Sequence, residues 1–374
     1  MRNSIKLLFV AVLYLAIGNI DVNACTGFRL KAKDGGIIYG RTMEWGAFDL
    51  NTRITIVPRG YAYQGLTPDG KNGKKYVVKY GIVGLDMPAI RDGYISDGMN
   101  EKGLAIGMFY HPEFTKYPDY NVSEAPNTIS GQELTNYILS QFSNVAEVKK
   151  GMQKVKVVGI MEESINLVPG MHWMITDSDG NSIVIEYNDG EMRIHDAPLG
   201  VITNAPNYDW HMTNLQNFVN LSPNAFPVKK LEEGIELRAT GAGSGLLGLP
   251  GDNTPPSRFI RAVTWTQTAR PFDNAEEGIY EAFRILDNFQ LPLGPDAAEG
   301  AGHGETNDLM RSSTIWTVAW NLEDLTLNYH TQHNRRVRRL SFDDIDFSKM
   351  GTEIVYIALD ENKKQDIKEI KPKL

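Results

Sequence analysis

The chain has 374 residues, a net charge of −8 and a single cysteine. The acidic balance argues against a nucleic-acid partner, which calls for a basic face, and one cysteine rules out an internal disulfide. Hydrophobic residues at 42% and aromatic residues at 10% support a substantial core.

The first element is a leader. Arg2 and Lys6 flank the start of "LLFVAVLYLAIG", and a polar stretch then ends in Val22-Asn23-Ala24. A basic start, a short apolar run and a small-residue site predict a secretory signal peptide over residues 1–24, cut after Ala24. The run is shorter than the roughly 20 residues that span a membrane, and no later stretch approaches that length, so no stable membrane insertion is expected. The rest, residues 25–374, reads as a single domain in the periplasm or outside the cell. Cleavage makes Cys25 the first residue. Three readings of that thiol compete: a small buried hydrophobe, a lipid-anchored cysteine on a binding protein, and an N-terminal nucleophile carrying thiol and α-amine together.

Strands open and close the domain. "TGFRLKAKDGGIIYGRTMEW" predicts a hairpin about Asp34-Gly35-Gly36. Ser130 to Glu133 is a capping box, and Leu134, Ile138, Phe142, Val145 and Val148 follow at helical spacing. "MHWMITDSDGNSIVIEYNDGEMRIHD" predicts two more hairpins, turning at Asp179-Gly180-Asn181 and Asn188-Asp189-Gly190. "SRFIRAVTWTQTA" and "AEEGIYEAFRILDNFQ" predict a second helical layer, and "STIWTVAWNLEDLTLNYHT" a last hairpin. Strands, helix, strands, helices, strands, with no linker between, predict one α+β domain with helices over antiparallel sheets.

Several motifs are discounted. Gly243, Gly245 and Gly248 have dinucleotide-loop spacing but lack a strand before and a helix after. No Gly-x-Ser-x-Gly elbow is present. His330 and His333 make a poor ligand pair without a neighbouring carboxylate, so no metal and no other cofactor is expected.

Four ordered motifs carry a resemblance. Cys25-Thr26-Gly27-Phe28 leads into Gly40-Arg41-Thr42-Met43-Glu44-Trp45; "DGMNEKGLAIGMFY" follows at 97–110, "VITNAPNYDWH" at 201–211 and "GLPGDNTPPSRFIRA" at 248–262. Together they resemble the choloylglycine hydrolase family, a branch of the N-terminal nucleophile hydrolases that includes bile salt hydrolases and penicillin V acylases. The resemblance implies a four-layer αββα sandwich, an amide hydrolase, a homo-oligomer (a tetramer) and no cofactor. It further implies a catalytic set of Cys25, Arg41, Glu44, Asn204 and Arg258, with Glu44 where the family usually shows aspartate.

In that reading Cys25 attacks an amide to form a thioester, and its α-amine relays protons near working pH. Arg41, with Arg258, would favour the thiolate. Asn204 would give an oxyanion donor, and Glu44 would orient Arg41 or the α-amine. Tyr110 stands where bile salt hydrolases commonly carry asparagine and penicillin V acylases tend to carry tyrosine. Trp45, Phe48, Met108 and Phe109 are expected to line an apolar pocket with Tyr110. A conjugated bile acid is the favoured substrate, with penicillin V or another N-acyl amide as the alternative.

Overall fold

The computed structural model describes residues 25–46, 49–292 and 313–372; the predicted leader lies outside them, as does Phe48. In chain order the strands begin with β1 (Thr26–Lys31), β2 (Ile37–Trp45), β3 (Arg53–Val57), β4 (Ala62–Gln64), β5 (Lys75–Val77), β6 (Ile82–Met87) and β7 (Arg91–Asn100). There follow β8 (Ala105–Tyr110), β9 (Thr128–Ser130), β10 (Lys156–Val158), β11 (Met171–Thr176), β12 (Ser182–Asn188), β13 (Glu191–Asp196) and β14 (Val201–Ile202). The last are β15 (Lys229–Lys230), β16 (Glu236–Leu237), β17 (Ser313–Asn321), β18 (Thr326–Thr331), β19 (Arg338–Ser341) and β20 (Val355–Ala358).

Two antiparallel sheets stand at the centre. A six-stranded sheet runs β14-β1-β2-β17-β18-β19, and an eight-stranded sheet runs β13-β12-β11-β8-β7-β6-β3-β20. They meet face to face: the Tyr39 hydroxyl of the first donates to Asp97 Oδ2 of the second at 3.1 Å. Gly27 is required at this junction, since a Cβ there would lie 2.6 Å from Phe109 Cζ. Strands covered on both faces carry apolar runs rather than clean alternation, as "IVGLDM" of β6 shows, buried along its length.

Helices complete the layers. α1 (Leu134–Gln141) and α2 (Val145–Gly151) lie on the eight-stranded side, where Asn136 Oδ1 accepts from the Ile95 amide at 3.1 Å. After α3 (Tyr208–Leu215), α4 (Pro255–Thr268) and α5 (Ala275–Leu286) cover the six-stranded sheet. The α5 glycine, Gly278, admits Ile38 of β2 so closely that a Cβ would meet Ile38 Cδ1 at 2.4 Å. The result is a four-layer αββα sandwich.

The predicted hairpins form. In the β12–β13 turn both central residues have positive φ, Asp189 at 54° and Gly190 at 82°, which suits the twist of the flanking strands. The capping box also forms, with Glu133 Oε2 accepting from the Ser130 amide at 3.0 Å. The helical spacing from Leu134 to Val148, however, belongs to two helices rather than one. The chain extends at Phe142, and Asn144 starts α2 by accepting from the Glu147 amide at 2.9 Å. An asparagine competes for backbone donors and so favours a cap over a helix interior.

Candidate active site

Cys25 leads directly into β1, the strand buried between β14 and β2. Its thiol is nearly inaccessible, at 3% relative exposure. Sγ lies 3.4 Å from Arg41 Nη2 and 3.7 Å from Met43 Sδ. Thr26 pairs with Thr42 and Gly27 with Arg41, so strand alternation puts Cys25, Arg41 and Met43 on one face of the sheet. That face looks into the junction between the sheets.

Arg41 fills a closed socket there. Its Nη1 donates to the Ser96 carbonyl at 3.0 Å and lies 3.5 Å from Asp97 Oδ2. Its guanidinium carbon sits 4.3 Å from the Phe109 ring centroid and 5.3 Å from that of Trp316. Asp97 is further held by the indole of Trp320 at 2.6 Å. Burial pushes the Asp97 carboxyl up to about 6, against the pull of Arg41, Trp320 and Tyr39.

Asn204 reaches Cys25 from the other side. It follows β14, whose Ile202 pairs with Gly27. Asn204 Oδ1 accepts from Cys25 N at 3.0 Å and from Arg258 Nη2 at 2.7 Å, while Nδ2 donates to the Tyr110 carbonyl at 2.7 Å. An amide nitrogen carries two hydrogens, so one remains to meet a further acceptor. Arg258 comes from the first turn of α4. Pro255 and Pro256 preset that helix start, and Asp252 accepts from the Thr254 amide and the Ser257 hydroxyl at 2.9 and 2.7 Å. Arg258 Nη1 then binds the Cys25 carbonyl, and also Thr26 Oγ1 at 3.0 Å. Its guanidinium is lowered to about 10 by burial, which Glu44 partly offsets, so it stays charged at neutral pH.

Glu44 does not sit beside Arg41, one of the two groups it is expected to orient. Three residues after Arg41 on the same strand, it faces the helical layer, with Arg258, rather than the sheet junction. Its Oε1 accepts from Thr314 at 3.1 Å, and Oε2 has no hydrogen-bond partner among the described residues. It therefore does not orient Arg41 by a direct bond. Burial raises its carboxyl to about 7, against Arg258 and the hydroxyls of Thr42 and Thr314.

The apolar set divides. Trp45, partly exposed, ends β2 on the Cys25 side, and Tyr110, half-buried, meets Asn204 through its backbone carbonyl. Phe109 is wholly buried and forms the floor beneath Gly27 and Arg41, so it supports the pocket rather than rimming it. Met108 points to the opposite face of β8, opposing Trp173, and is not brought to Cys25. Met43 is the reverse case, next to the thiol but missed in the sequence, although it sits two residues from Arg41 in a strand.

The buried thiol is raised above the ordinary cysteine range. Burial is the largest cause, Arg41 opposes it, and Glu44 adds to it. Arg41 thus moderates a desolvated thiol and does not by itself yield a standing thiolate.

The sequence profile of the linear amide C–N hydrolases, choloylglycine hydrolase family, matches residues 25–357. The chain is 34% identical over 319 residues to a bile salt hydrolase/transferase of Clostridium perfringens, spanning 84% of this chain and 92% of that protein. It is 28% identical over 304 residues to a penicillin V acylase of Pectobacterium atrosepticum, spanning 76% and 74%. A crystal structure of a mutant conjugated bile acid hydrolase from Clostridium perfringens aligns with a TM-score of 0.77 at 31% identity, covering 93% of this chain and 100% of that one. The fold is also that of a penicillin V acylase from Agrobacterium tumefaciens, with a TM-score of 0.71 at 24% identity over 90% and 92%. The sandwich is of the N-terminal nucleophile hydrolase type, and the chain belongs to the choloylglycine hydrolase family, hydrolases of linear amide C–N bonds.

Proposed function

We propose that this hydrolase is exported, begins at Cys25 once its leader is removed, and cleaves the amide of glycine- or taurine-conjugated bile acids through a thioester on Cys25. The observation that carries this reading is the separate placement of the two functional groups of Cys25. The thiol lies against Arg41 and the nitrogen against Asn204 Oδ1, at 3.4 and 3.0 Å.

The steps follow from that placement. The free α-amine takes the thiol proton as Sγ attacks the amide carbon. The second Nδ2 hydrogen of Asn204 meets the developing oxyanion. The ammonium returns the proton to the leaving nitrogen, the C–N bond breaks, and glycine or taurine departs. Water, giving a proton to the same amine, then splits the thioester; the acid leaves and the thiol is restored. Arg258, bound to the Cys25 carbonyl and to Asn204, holds the first residue in place. A thiol buried between Arg41 and Met43 supports this role over a lipid-anchored cysteine.

The substrate class rests on likeness to proteins called bile salt or conjugated bile acid hydrolases, at 34%, 33% and 31% identity. Tyr110 favours a second reading, penicillin V acylase. Rates on glycocholate, taurocholate and penicillin V decide between them: a preference for penicillin V would overturn the bile-acid reading and keep the chemistry. We further propose a homo-oligomer. The ribbon β15–β16 and its flanks expose Val219, Phe226, Leu231, Ile235 and Leu237, an apolar surface of the kind buried by a partner. Light scattering on the purified protein tests it, and a monomer would refute it.

A further inference from the structure

"SIVIEYN", strand β12, carries a single charge, Glu186, which is wholly buried. Around it stand His172 of β11, His111, His195 and the start of α3. His172 Nδ1 lies 3.1 Å from Glu186 Oε1, and its Nε2 lies 3.1 Å from the Thr203 carbonyl. The Tyr208 amide donates to the same carboxylate oxygen at 2.9 Å, and His195 Nε2 lies 3.5 Å from the other. Burial raises the Glu186 carboxyl, but the neighbouring His172 and His195 imidazoles outweigh it and hold it well below the usual carboxylate range.

A metal is the first candidate for His111, His172 and Glu186, whose ligand atoms lie within 4.8 Å of one another. Ring geometry speaks against it. His111 and His172 are stacked 4.2 Å apart at 12°. Imidazole lone pairs lie in the ring plane, so two parallel stacked rings do not converge on one ion at the roughly 2.1 Å a metal requires.

Hydrogen-bond chemistry gives the cluster another role. A carbonyl and a carboxylate both only accept, so each ring nitrogen of His172, placed between them, faces an acceptor. Its target, Thr203, precedes Asn204. The Asn204 carbonyl in turn accepts from His211 Nε2 at 2.9 Å. Two successive carbonyls are thereby fixed by two histidines from different layers. Thr203 Oγ1 adds a third tie, to the Pro255 carbonyl at 3.1 Å.

We propose that His172, clamped between Glu186 and the Thr203 carbonyl, is a positioning residue that aims the Asn204 amide at the reacting carbonyl. The proposal rests on the reading of Asn204 as oxyanion donor. A displacement of about 1 Å at such a group can lower a rate by about 10²-fold.

The test is a double-mutant cycle. His172→Phe should lower kcat by about 10- to 100-fold with KM within about twofold. In the Asn204→Ala background the same change should lower kcat by less than about threefold, since its target is already gone. An equal loss in both backgrounds overturns the proposal while leaving the role of Asn204 standing. Unchanged kcat in Asn204→Ala alone overturns that role, and the proposal with it. If His172→Phe does not fold, two glutamine variants replace it. His172→Gln alone sets an amide oxygen against Glu186 and should lose kcat. His172→Gln with Glu186→Gln keeps a donor on Thr203 without charge and should restore kcat to within about threefold of the parent. Failure of that pair to recover activity, with melting restored, counts against the proposal.

Discussion

Arg41 Nη2 lies 3.4 Å from Cys25 Sγ, yet the thiol is raised rather than lowered. Burial is the larger influence, and Asp97, 3.5 Å from the same guanidinium, draws off part of its field. Asp97→Asn should therefore lower the thiol pKa, read as faster iodoacetamide alkylation of Cys25 at pH 7. It should also destabilise the fold by about 3 kcal/mol, because Arg41 would be left buried without its counter-ion. Slower alkylation in the folded variant would show that Asp97 acts on the thiol by some route other than Arg41.

Asn204→Ala should lower kcat by about 10²- to 10³-fold, the loss typical of one oxyanion donor. KM should change little, since the donor matters most in the transition state. An effect confined to KM would make Asn204 a ground-state contact.

Cys25→Ala should abolish hydrolysis and leave the melting temperature within a few degrees of the parent, because the small buried thiol contributes little packing. Cys25→Ser retains the α-amine and an oxygen nucleophile, so a trace of activity is compatible with the mechanism. Comparable turnover in Cys25→Ala would exclude the thioester.

Glu44 gives a signed pH dependence. Its carboxyl moves from an ordinary 4.5 to about 7 on folding, so the folded state binds the proton more tightly. Its contribution is fully present below about 4.5 and is lost as pH rises through 7, a span of about 3 kcal/mol. Glu44→Gln removes that slope. Compared with the parent, the variant should gain stability from about pH 5 to 7 and level off by about pH 8 in urea titrations. Asp97, also raised, adds a slope of the same sign to both proteins, and Glu186, held low, adds one of opposite sign only below its ordinary range. Parallel profiles for parent and variant would mean that Glu44 stays ionised in the folded protein.

Much of the sandwich is legible because its information is local. Asp34-Gly35-Gly36 and Asn188-Asp189-Gly190 mark hairpins that close within a few residues, and Ser130 with Glu133 marks a helix start. The site is legible in part. Cys25 stands out by being alone, whereas its proximity to Asn204 and Arg258 comes only from the family resemblance. What the sequence hides is facing. Arg41 and Glu44 look like partners three apart, but a strand turns them to opposite faces, and the same alternation takes Met108 away from the pocket. The Arg41–Asp97 and His172–Thr203 contacts join separate strands, and no spacing reports them. A faint signal does exist: Asp97 and Glu186 are isolated charges in strands destined for the interior, and a buried charge demands a partner.

The α-amine of Cys25 provides the sharpest test of the mechanism. Cys25 N already lies 3.0 Å from Asn204 Oδ1, and the thiol is too desolvated to ionise readily without a base near by. Among the groups placed around Sγ, Arg41 and Met43 cannot take up a proton at neutral pH, and Glu44 faces the other side of the sheet. In the proposed mechanism the terminal amine, with a reference pKa near 8, is the base. A form of the protein beginning Met-Asn-Ala-Cys25 keeps the thiol, Arg41, Asn204 and Arg258 but turns the amine into a peptide nitrogen. Loss of general-base help typically lowers rates by about 10²- to 10⁴-fold, and the extension adds bulk beside Asn204. A form beginning Met-Cys25, trimmed by methionine removal, should have full activity. Mass spectrometry establishes each terminus before the rates are compared. Equal rates with the extension intact would make the amine dispensable, and Cys25 would then need a base outside the residues that surround it.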